Sequence, residues 1–158
     1  IIAAGQLVME ETKATAEMKE EAALAMARSS FDNGRREEAF NYYSHLTHSA
    51  NGEYNGEARC RQAEIMMLKQ QYDGAERMIE QIVADASSDY WLAYSFILWA
   101  DIYYARGNNL QAKQTLQSII DNYDGEDLVT VARQKHAAIV AAEQPQAPAE
   151  AEEMVIEL

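Results

Sequence analysis

Three stretches of this chain repeat one pattern of small and bulky apolar residues: Ala25 to Tyr43, Arg61 to Ile79 and Leu98 to Leu116. Each has an alanine, a Met or aromatic pair three to four residues on, a break, and a second alanine opening another apolar run. The alanines after the break are Ala39, Ala75 and Ala112, giving periods of 36 and 37 residues. Self-similarity at such a period predicts stacked helix pairs, because one repeat cannot bury its apolar face alone and must lean on the next. Arrays of this kind present surfaces for binding rather than catalysis.

Apolar residues make up 48% of the 158, enough for a real core over most of the length. Gly and Pro number only 7 and 2, which argues against all-β folds and long irregular segments. No unbroken apolar run approaches the roughly 18 residues a membrane span needs. The net charge of −13, from 26 acidic against 13 basic residues, opposes a phosphate backbone and so argues against nucleic-acid binding. Cys60 is the only cysteine and has no partner for an internal disulfide. No His neighbours it, so a packed or groove-lining thiol is the better reading than a nucleophile. The first residue is not Met and lies inside a helical pattern, which leads to the expectation of a piece of a longer or processed protein.

The helical period predicts elements from about residues 17 to 32, 37 to 48, 56 to 69, 74 to 85, 90 to 106, 108 to 123 and 128 to 142. Residues 1–16 are expected to form an N-terminal helix or the remnant of a preceding repeat, 17–142 the array, and 143–158 a Pro/Ala/Glu-rich tail. Asn33-Gly34 and Gly107-Asn108 are breaks, glycine tolerating the left-handed backbone a helix end often adopts. Asp73 with Glu76, and Asn108 with Gln111, have capping-box spacing, and Ser88 or Asp89 is placed to cap the helix that follows. The final helix is expected to seal the apolar end of the stack.

These residues resemble the tetratricopeptide family over roughly Glu17 to Ala142. Ala27, Ala63 and Ala100 match the small position of the first helix in each pair, and Ala39, Ala75 and Ala112 the facing one. Gly34, Gln70 and Gly107 stand at the turn, and Ser30, Met66 and Tyr103 where the family usually has Tyr. The resemblance implies an all-α fold, a right-handed superhelical array of antiparallel pairs with about three repeats and a capping helix. It implies a non-enzymatic scaffold for a protein or peptide, with no cofactor and no metal. The longer period is similar to the variant in bacterial cell-envelope proteins, which implies a periplasmic setting. Arg59 and Gln62 depart from the pattern, standing where the family packs large apolar side chains, and the usual terminal Pro is missing from each repeat.

The resemblance turns the first helix of each pair inward. Helical spacing then assigns Leu24, Arg28 and Phe31 to the first repeat's binding face, with Glu21, Ala25 and Asp32 beside them. Cys60, Arg61, Glu64 and Met67, with Glu57 and Leu68, come from the second, and Tyr94, Ile97, Leu98, Asp101 and Tyr104 from the third. Family members that clamp a terminal carboxylate use Lys, Asn and Arg. Only Arg28 and Arg61 could serve that purpose here, so an apolar groove tuned by a few charges is expected instead. Such a groove suits an amphipathic helix or an apolar extended segment. Self-association as a homodimer is the alternative, and an accessory domain of a larger protein a third reading. His45 and His48 are spaced to share a helix face but lack the further ligands of a zinc site. The acidic run from Asp121 to Asp127 lacks the alternating ligands of a calcium loop. The terminal Met-Val-Ile-Glu-Leu is read as a sticky tail able to dock on a groove.

Overall fold

The computed structural model describes residues 2–10 and 15–145, and every described element is a helix. In order they are α1 (Ile2–Glu10), α2 (Ala16–Asp32), α3 (Arg36–Ser44), α4 (Gly52–Leu68), α5 (Tyr72–Ala84), α6 (Asp89–Ala105), α7 (Asn109–Asn122) and α8 (Glu126–Glu143). Helices α2–α3, α4–α5 and α6–α7 are joined by turns of three residues, short enough to fold each pair back on itself.

The three turns use one device. Gly34, Gln70 and Gly107 have φ of 73°, 60° and 78°. At each, the next residue's amide reaches back to the carbonyl five residues earlier: Arg35 to Ser30 at 2.9 Å, Gln71 to Met66 at 2.9 Å, Asn108 to Tyr103 at 2.8 Å. This Schellman closure satisfies the last helical carbonyls and needs a left-handed residue at its corner. In the middle turn a glutamine fills that corner, with its Cβ crowded against the following carbonyl. Gln70→Gly is therefore expected to stabilise the fold by about 0.5–1 kcal/mol, the relief of left-handed strain less the entropy glycine loses. A urea midpoint unchanged or lowered would contradict this.

The core lies in blocks that each straddle a repeat boundary. Ala23, Leu24, Ala27, Ala39, Tyr43 and Leu46 from the first pair pack with Ala58 and Ile65 of α4. Ala63, Ala75 and Ile79 pack with Leu98 and Ile102 of α6. Ala93, Ile97, Ala100, Ala112, Leu116 and Ile119 pack with Leu128, Ala132 and Ile139 of α8. Each pair thus finishes its core with the first helix of the next, as stacked repeats require, and α8 plays that part for the third. All six register alanines are buried, at no more than 1% exposure, each facing pair within a single block. A methyl at both sides of the crossing lets the two backbones approach closely.

Several boundaries differ from the expected ones. Helix α3 ends at Ser44 rather than near His48, because Ser44 Oγ donates to the Phe40 carbonyl at 2.9 Å and Thr47 Oγ1 to that of Ser44 at 3.2 Å. His45 and His48 consequently sit in a turn, not on one helix face. Helix α4 starts at Gly52, four residues early, with the Asn51 side chain accepting from the amides of Glu53 and Tyr54. Asp73 and Glu76 form no capping box: α5 begins after Gln71 without a side-chain cap, and both acids pair with Arg106. Ser88 caps α6, accepting from Trp91 N, and Asn108 caps α7, accepting from Gln111 N.

The polar departures in the middle repeat are satisfied. Gln62, 3% exposed, donates to the Phe40 carbonyl at 3.0 Å and to Ser44 Oγ at 2.8 Å. Arg59 donates to the Thr47 carbonyl at 3.0 Å and pairs with Asp85 at 2.6 Å. They reach the last turns of α3 and the turn after it, so each buried polar group of the middle repeat has a partner there. The Met-Val-Ile-Glu-Leu terminus and residues 11–14 lie outside the described residues.

Candidate functional site

Applying the 36 and 37 residue periods to the first helices sorts the expected site into columns, one member from each of α2, α4 and α6. Leu24, Cys60 and Ile97 form one column, and all three are buried. Leu98 is buried too, at 3%. These four are core rather than groove, a correction with a simple cause: a first helix is covered by its own partner and by the neighbouring repeat, so its buried arc is wide. The Cys60 thiol contacts the Trp91 carbonyl at 3.2 Å, and burial pushes its pKa far up, leaving no thiolate for chemistry.

Glu57 is buried as well, and the remaining expected residues keep contact with solvent. Arg28, Glu64 and Asp101 make a charged column; Phe31, Met67 and Tyr104 make an apolar one, three residues further along each helix. Tyr104 is 45% exposed. The face is therefore a charged row beside an apolar row, not the apolar groove expected.

Cross-repeat pairs lock the charged row. Arg28 of α2 holds Glu57 of α4 with two bonds, Nε to Oε1 at 2.8 Å and Nη2 to Oε2 at 2.6 Å. Tyr43 donates to the same carboxylate at 3.2 Å. Glu57 is 5% exposed, and a charge so buried persists only when paired and hydrogen-bonded. Further along, Arg61 Nη1 donates to Glu64 Oε2 at 2.8 Å and to the Tyr94 hydroxyl at 2.9 Å, and that hydroxyl donates to Glu64 at 3.1 Å. The Arg61 guanidinium lies 4.7 Å from the ring centre of Phe31, 5.7 Å from Trp91 and 5.2 Å from Tyr94, so one cation on α4 touches α2 and α6. Burial works against its charge, but the Tyr94 and Glu64 oxygens outweigh it and hold the guanidinium protonated. Burial and then Glu64 raise the Tyr94 pKa well above the ordinary phenol value, keeping its proton available to donate.

Asp101 of α6 accepts twice from Lys135 of α8, at 2.9 and 3.0 Å. Burial raises the Asp101 pKa, and Lys135 opposes that rise. Lys135, Tyr43 and Trp91 complete the face and were missed in the sequence. Lys135 had a signal: it lies 34 residues beyond Asp101, the family's usual spacing, on a helix read only as a cap. Arg28 and Arg61, the two residues able to clamp a carboxylate, are both engaged by glutamates. The face sets hydrogen-bonding groups held by ion pairs beside apolar side chains.

Residues 87–125, from the turn before α6 to the cap of α8, match a family model described as tetratricopeptide repeat. Comparison with curated proteins and with solved structures matched none. The matched segment takes in α6 and α7, the two helix pairs before it repeat its register, and the described residues form an all-α, tetratricopeptide-like array of the kind found in protein-interaction scaffolds.

Proposed function

We propose that this chain binds a protein or peptide segment, without catalysis, along the concave face that the family architecture gives to α2, α4 and α6. The observation that carries this reading is the pair of rows just described: one charged and one apolar side chain from each repeat, 36 and 37 residues apart in sequence and still reached by solvent. Ion pairs fix the charged row before any partner arrives, so little side-chain entropy remains to be lost on association. A segment with apolar residues for Phe31, Met67 and Tyr104, and polar groups for Arg28, Glu64 and Asp101, fits it in kind. Met and aromatic residues supply adaptable contacts and much of an interface's energy.

The test places a photo-crosslinking amino acid singly at Met67, Tyr104, Val83 or Leu110 and irradiates in lysate of the source cell. Val83 and Leu110 are exposed on the second helices α5 and α7. One shared adduct from Met67 and Tyr104, and none from Val83 or Leu110, is the expected result. Adducts confined to the second helices would overturn the reading.

A further inference from the structure

A cleft of about 310 Å³ opens between the start of α6 and the end of α7. Leu92, Phe96, Ile119 and Tyr123 line it, together with the polar side chains of Ser118 and Asn122 and the carboxylates of Asp89 and Asp124. At 100° per residue, Leu92 and Phe96 lie on the side of α6 turned away from Tyr94, so this cleft is separate from the face argued above. Its aromatic walls are held in place. The Phe96 ring stacks on Trp99 at 6.2 Å and 16°, and the Tyr123 ring lies against Gly125, where any Cβ would collide with it. No ion pair among the described residues engages either of the two carboxylates. The neighbouring charges are negative: after burial, the carboxylates of Asp127, Asp89 and Glu53 are among the groups that raise the Tyr123 pKa.

From this combination we propose that the cleft receives the cationic side chain, arginine or lysine, of a basic protein segment. The volume is at the small end for ligand pockets, which span about 300–1,000 Å³. An aliphatic stem fits the apolar walls, a guanidinium or ammonium group meets the two unpaired carboxylates, and the Phe96 ring face offers a cation–π surface. The chain's net charge of −13 draws such a segment in, while the cleft fixes where it docks. The site does not depend on the first-helix face, and either can fail without the other.

Fluorescence anisotropy with a labelled nona-arginine peptide, and its uncharged nona-citrulline counterpart, tests the assignment. Arginine is expected to bind at least about tenfold tighter than citrulline. Asp89→Asn with Asp124→Asn should weaken it about tenfold, the upper range for two exposed ion pairs. Phe96→Leu keeps the wall apolar but removes the ring, and should also weaken binding. Glu17→Gln with Glu80→Gln removes the same charge elsewhere and should change it less than twofold. Equal losses from the two charge-matched pairs would mean diffuse attraction and overturn the proposal, as would binding that does not distinguish arginine from citrulline.

Discussion

Ala63→Leu is expected to destabilise the protein by about 3 kcal/mol, the upper range for overpacking a filled core. Ala63 is fully buried on α4, in one block with Ala75 of α5 and with Leu98 and Ile102 of α6. Three extra carbons there must push α5 or α6 away, and either movement opens contacts on both sides of the repeat boundary. For a chain of this size the loss corresponds to a fall of roughly 10 °C in Tm. Ala25→Leu adds the same atoms on an exposed surface of α2 and should stay within about 0.5 kcal/mol of wild type. Urea unfolding of the two variants makes the comparison, and similar losses in both would deny any special role to the crossing alanines.

Arg28→Met is expected to cost about 2–3 kcal/mol although the Arg28 side chain is 57% exposed. The cost falls on its partner: Glu57 would stay buried with only the Tyr43 hydroxyl against its charge. An ordinary exposed ion pair contributes up to about 1 kcal/mol, so the size of the loss distinguishes the two situations. Adding Glu57→Leu removes the orphaned carboxylate and should recover most of the stability. A double variant no better than Arg28→Met would show that the pair is not the source of the loss.

What could be read from the sequence was what recurs. The six alanines and the turn residues announce themselves by period, and Gln70 was located by register although it is no glycine. The end of α3 was not legible, because Leu46 continues the apolar spacing of Ala39 and Tyr43 and is buried from a turn as well as it would be from a helix. Ser44 and Thr47 decide the matter by bonding to nearby carbonyls, a competition that spacing does not register.

For the site, spacing found the right helices and misjudged the depth. Leu24 and Arg28 are one turn apart and only 40° around the helix, yet one is core and the other surface. The difference depends on where α3 and α4 lie. The pairings were likewise out of reach, since Arg28 with Glu57 and Asp101 with Lys135 are set by how successive repeats overlap.

The central claim is that each helix pair closes on its own alanines and then leans on the next repeat. Methyl-resolved nuclear Overhauser spectroscopy on alanine-labelled protein tests it most directly. The account predicts cross-peaks between Ala27 and Ala39, Ala63 and Ala75, and Ala100 and Ala112, with Ala58 joined to the first repeat. Absence of the within-pair cross-peaks, or cross-peaks linking Ala39 directly to Ala112, would contradict it.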